Sequence, residues 1–107
     1  MPVGVLVVQI MRFVDDTQPG VVECEVVDAN GQRHCFVDKV PIFSTELLDA
    51  HSGYPRNGVM ACEVLARWKD ASGKGLARVN TRRPDGVESS EGKSEFVFFG
   101  DQFVSLT

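Results

Sequence analysis

Apolar and polar residues alternate with a period of two along much of this chain, in short runs cut by Gly, Pro, Asn and Asp. That is the pattern of strands joined by turns. The run over 3–14 is rich in β-branched residues and apolar on both parities. It predicts a strand covered on both faces, or one that bends around a barrel wall. A polar connection ending in Pro19-Gly20 predicts a type II turn and a return into 20–39, GVVECEVVDANGQRHCFVDK.

Within that stretch, Asn30-Gly31 predicts a hairpin closed by a two-residue type I′ turn. The implied ladder pairs Asp28 with Arg33, Val26 with Cys35 and Glu25 with Phe36. Val22, Cys24, Val26, Cys35 and Val37 then form the core face. Glu23, Glu25, Val27, His34, Phe36 and Asp38 form the outer one, with Glu23 opposite Asp38. The first three strands are expected to run as a meander.

Beyond Lys39, Pro41 should end the ladder, because it has no N–H to donate. Ser44 or Thr45 then predicts the cap of a short helix over 45–51, with Leu47 and Leu48 packing down. Alternation resumes over 59–69. It predicts Met60, Cys62, Val64, Ala66 and Trp68 inside, and Glu63, Arg67 and Lys69 outside. A turn at Ser72-Gly73 sets Trp68 opposite Ala77 and leaves Arg78 in solvent. A long polar connection, 82–92, precedes a strand over 94–99 with Phe96 and Phe98 on one side; Gly100-Asp101 breaks it before a last segment over 102–106.

Six or seven short strands, one short helix and no βαβ alternation predict one all-β domain over residues 1–107. The expected architecture is a small antiparallel barrel with a meander start, and a β-sandwich is the alternative. The long first strand and the glycine-broken last one favour the barrel, since both suit a corner.

Composition narrows the function classes. With 107 residues, 43% hydrophobic and 24% charged, the chain has the make-up of a soluble globular domain able to bury one core. A net charge of −4 and a pI near 5.0 argue against a nucleic-acid partner, which calls for a clustered basic face. The run VGVLVVQI lacks preceding basic residues and a cleavage pattern, and is too short for a bilayer, so no membrane partner is expected. Three widely spaced cysteines predict reduced, buried thiols and a cytoplasmic protein.

The chemistry-bearing residues are few. There is no CxxC pair, no complete calcium loop around Asp15-Asp16-Thr17 and no Gly-rich phosphate cradle, so neither a metal nor a cofactor is expected. His34 and Cys35, adjacent on a strand, point to opposite faces and cannot form a nucleophilic pair. The candidate binding residues are His51, Tyr54 and Arg56 in one loop, and Arg82, Arg83 and Glu88 in another. The outer hairpin face, with Val27, His34 and Phe36, is a candidate interface for a homodimer. The runs FVDKVPIFS and ACEVLARW resemble motifs of a bacterial family. Together these residues predict a non-enzymatic binding module that contacts a protein partner through loops 51–58 and 82–92. The alternative is a small-ligand binder or enzyme with a barrel-mouth pocket built from His51, Tyr54 and Arg56.

Overall fold

The first strand, β1 (Val3–Asp15), lies at the centre of one curled six-stranded sheet, ordered β3-β2-β1-β4-β5-β6. A computed structural model describes residues 2–104. The other strands are β2 (Val21–Val27), β3 (Arg33–Lys39), β4 (Arg56–Lys69), β5 (Gly75–Asn80) and β6 (Glu95–Phe99), with a one-turn helix α1 (Val40–Phe43) between β3 and β4. All pairings are antiparallel. The architecture is thus the barrel-like one, with a single sheet rather than two facing sheets.

The doubly apolar pattern of β1 has a topological cause. Its residues Val3–Ile10 pair with β4 and its residues Gln9–Asp15 with β2, and the ladder to β2 shifts between Ile10 and Arg12 and again between Phe13 and Asp15. Such bulges bend and coil a strand, so β1 turns the corner that its sequence suggested. On the edge of β1 that β2 leaves free, the chain returns after β6. Phe103 bridges Leu6, and the Val104 N–H donates to the Val5 carbonyl at 2.7 Å. The segment expected over 102–106 lies partly outside the described residues.

The meander β1-β2-β3 forms as expected, but its hairpin turn is not the expected one. Gly31 has φ of +82° while no other residue type has positive φ, which rules out a type I′ turn at Asn30-Gly31. Instead the Asp28 carboxylate accepts the N–H groups of Asn30 and Gln32 at 2.9 and 3.0 Å. The Gly31 N–H bonds to the Asp28 carbonyl at 3.0 Å, and the Asp28 N–H to the Gln32 carbonyl at 2.8 Å. This is a three-residue loop, a type I turn followed by a left-handed glycine. The Asx bond favours it, because it holds the first half of the turn in the right-handed region.

One extra loop residue moves the ladder by one. Val26 pairs with His34, Glu25 with Cys35 and Cys24 with Phe36, so every β3 side chain sits on the face opposite to the expected one. His34 and Phe36 are buried, Cys35 is half-buried and Val37 is exposed. Burying a side chain such as Phe36 stabilises by about 1.5–3 kcal/mol. The shift also removes the like-charge pair. Glu23 lies opposite Val37, with Arg12 3.0 Å from its carboxylate.

The same loop recurs. Asp70 accepts from the N–H groups of Ser72 and Lys74, both at 2.9 Å, and Gly73 has φ of +85°. Beyond this second turn β4 pairs with β5, and a bulge between Val64 and Ala66 reverses the parity. Val64 stays inside opposite Val79, whereas Trp68 pairs with Leu76 and is exposed. The expected inward Trp68 is therefore wrong; Arg78 is exposed, as expected.

The helix is also displaced. Pro41 does not merely end the β3 ladder; it occupies the first turn of α1, where its missing N–H costs nothing. Residues 45–51 form bends and turns instead of a helix. The two leucines separate, with Leu48 buried and Leu47 fully exposed.

Closure of the barrel falls to the long connection. Within 82–92, Val87 and Ser89 are buried, and the buried Thr81 hydroxyl donates to the Val87 carbonyl at 2.8 Å. The Ser90 N–H reaches the Cys35 carbonyl at 2.8 Å, and the Ala29 N–H reaches Val97 on β6 at 2.8 Å. These bonds join the β3 side of the sheet to the β6 side. The enclosed core runs from Leu6, Val8 and Ile10 through Cys24, Phe36 and Met60 to Val79, Phe96 and Phe98.

Candidate functional site

A groove of about 850 Å³ opens where β1 runs into β2 and β3 runs into α1. Its two walls are residues 16–20 and 44–49; Phe13, Pro19 and Pro41 contribute apolar surface, and the buried Val40 and Leu48 lie at its floor. One glycine permits a close approach that shapes it. A Cβ on Gly20 would lie 2.6 Å from the Phe13 ring. Gly20 therefore serves close packing. Its φ is not positive, so the type II turn expected at Pro19-Gly20 is absent.

The 44–49 wall is held by local hydrogen bonds. Ser44 Oγ accepts the Glu46 N–H at 3.0 Å, and Asp49 Oδ1 accepts the His51 N–H at 2.8 Å. Tyr54 donates its hydroxyl to the Asp49 carbonyl at 2.7 Å. Arg56 spans the loop, with Nη1 2.8 Å from the Ser52 carbonyl and Nη2 2.7 Å from the Glu46 carboxylate. Leu47 stands at the rim with its side chain fully exposed (101%).

Groove electrostatics are one-sided. Asp16, Glu46 and Asp49 line it, and no Lys, Arg or His does. Arg56 offsets Glu46, but among the described residues neither Asp16 nor Asp49 has an ion-pair partner.

The expected site residues occupy different places. His51 and Tyr54 lie in one loop and Arg56 opens β4; none of the three lines the groove, and Tyr54 and Arg56 brace its wall. Arg82 and Glu88 pair with each other at 2.6 Å on the closing loop, and Arg83 is exposed there. Of the expected interface residues only Val27 is exposed. His34 and Phe36 belong to the core, so the face that was to expose all three does not exist. Sequence reading missed the groove because the predicted helix buried Leu47; the signal was the Leu47-Leu48 pair, which a loop splits between rim and core.

The three thiols are held in their protonated form. Burial pushes the Cys24 thiol up to about 12, with Glu23 adding to it, and the Cys62 thiol up to about 11 against the opposing Arg67 charge. Cys35 is raised as well, by burial and then by Glu25 and Glu23. All three stay protonated near neutral pH and are weak nucleophiles. Among the described residues no three His, Cys, Asp or Glu side chains are grouped to hold a metal ion, and no helix is long and apolar enough to cross a membrane. Comparison of the chain with protein-family models, curated proteins and solved structures finds no match.

Proposed function

We propose that this protein is a non-enzymatic binding module whose partner is another protein, and that contact is made through the groove between residues 16–20 and 44–49. The observation that carries this reading is Leu47, a large apolar side chain left fully in water at the rim of a groove lined by acidic and apolar residues. With Phe13, Pro19 and Pro41 it forms a polar-rimmed apolar patch of the kind that marks protein contact sites. Loop 51–58 keeps a part in this reading, as the brace that holds the wall in place. The 82–92 loop has a closing role, and its exposed Arg82, Arg83 and Glu88 would border a contact rather than centre it.

The reading as an enzyme or small-ligand binder has less support. Tyr54 is engaged with the Asp49 carbonyl and Arg56 with the Ser52 carbonyl and the Glu46 carboxylate, so they are spoken for as structural groups. An acidic groove also disfavours nucleic acid. Three unpaired thiols suit a reducing cytoplasmic setting.

The test is co-purification from the source organism with tagged wild type and Leu47→Ser. Leu47 makes little packing contact, so the variant should keep the wild-type unfolding midpoint. A protein that accompanies wild type should be depleted about tenfold with the variant, the change that a loss of about 1.4 kcal/mol of binding produces. Equal recovery with both would refute the groove as the contact.

A further inference from the structure

We infer that the groove receives an extended peptide segment in which a large apolar side chain is flanked by lysine or arginine. This rests on the binding-module reading and names the chemistry of the partner. Three features of the groove argue for it.

The first is charge. Asp16, Glu46 and Asp49 face the groove with no cationic side chain among its lining residues, and Arg56 offsets only Glu46. An incoming acid would meet uncompensated repulsion, whereas a flanking Lys or Arg gains an attraction that also steers its approach.

The second is apolar surface. Phe13, Pro19 and Pro41 line the groove with accessible apolar surface, and Leu47 stands beside them at full exposure. A bound apolar side chain would cover Leu47 and be covered by it. A wholly polar basic segment would leave that surface in water.

The third is size. A volume of about 850 Å³ lies in the range of about 300–1,000 Å³ found for pockets that enclose small ligands. It admits a few residues of an extended chain, not the face of a folded domain. The walls are tied by the hydrogen bonds around Asp49 and by the Val40 N–H to Gly20 carbonyl bond of 2.9 Å, so the groove is formed before the segment arrives.

A random peptide library displayed against wild type and Leu47→Ser tests this. Sequences that depend on Leu47 should carry Lys or Arg within a few positions of Leu, Phe, Met or Trp. Their affinity should fall about tenfold when salt is raised enough to shorten the screening length from about 10 Å to about 3 Å. It should also fall several-fold in Asp16→Asn and in Asp49→Asn, whose amide oxygen can keep the local hydrogen bonds. Selection of neutral or acidic Leu47-dependent sequences, or salt-independent binding, would overturn the inference while leaving the binding-module reading intact. Recovery of no Leu47-dependent sequence would overturn both. A dimer in sedimentation that Leu47→Ser dissolves would also overturn the inference, since the occupant would then be a second copy of the chain.

Discussion

Asp28 and His34 meet inside the barrel, with Oδ2 of one 2.7 Å from Nε2 of the other and both side chains almost fully buried. Asp28 is also the residue whose other oxygen organises the β2–β3 turn. One carboxylate thus selects the turn and holds the histidine that the resulting register brings inward, where the imidazole packs edge-on against Phe96 at 4.7 Å. Turn chemistry and core packing are coupled through this residue.

Acid stability should report that coupling. Burial raises the Asp28 carboxyl, but the hydrogen bond from His34 and the N–H groups of Gln32 and Asn30 more than offset it and hold the group below its ordinary value. A lowered folded-state value stabilises the fold above the unfolded value, and that stabilisation is lost as pH falls through the folded one. Asp28→Asn should therefore cost about 1–3 kcal/mol at neutral pH, as for a disrupted buried polar pair. The difference from wild type should shrink below about pH 4, the ordinary Asp value. Urea unfolding of both proteins across pH measures it.

Phe36 and Trp68 exchange the roles that alternation alone assigns to them. Phe36→Ala removes a fully buried ring and should destabilise by about 3–5 kcal/mol. Trp68→Ala removes an exposed one and should cost no more than about 1 kcal/mol. Chemical unfolding of the two variants decides whether the register and the Val64/Ala66 bulge are as described.

How far the fold was legible depended on whether its signals were local. The β-branched run over 3–14, alternation in 21–27 and 59–69 and the apolar run in 94–99 are enough to find the strands, and the core positions Val22, Cys24, Cys62 and Val79 follow from alternation. Parity failed for β3 and for the end of β4. There the outcome hangs on one inserted residue, in a turn or a bulge, that alternation does not reveal. The turn was readable in principle: DANGQ and DASGK share an Asp four residues before the position whose N–H it accepts. The site was less legible, since the groove joins segments far apart in sequence and Leu47 looks like a core residue until the helix is known to end at Phe43.

The two turn glycines should be needed for their backbone conformation alone. No atom lies within 4 Å of a Cβ built on Gly31, Gly73 or Gly75, but only Gly31 and Gly73 have positive φ. Gly31→Ala and Gly73→Ala should each cost about 1–2 kcal/mol, and Gly75→Ala much less. Thermal unfolding of the three variants separates strain from crowding.

Thiol labelling should rank the cysteines. Cys35 is half-buried on the outer sheet face, while Cys24 and Cys62 are fully buried and pushed up to about 12 and about 11. Mass spectrometry after alkylation of the folded protein should find modification at Cys35 first, with the other two reacting only as the protein unfolds.

The docking surface is tested most directly by a photoreactive amino acid placed at position 47 and, separately, at position 83, in the living source organism. Both sites are exposed, one on the groove rim and one on the closing loop. A covalent adduct to another protein from position 47, much weaker from position 83, is the predicted result. Adducts from position 83 with none from position 47 would contradict the groove as the place where this protein meets its partner.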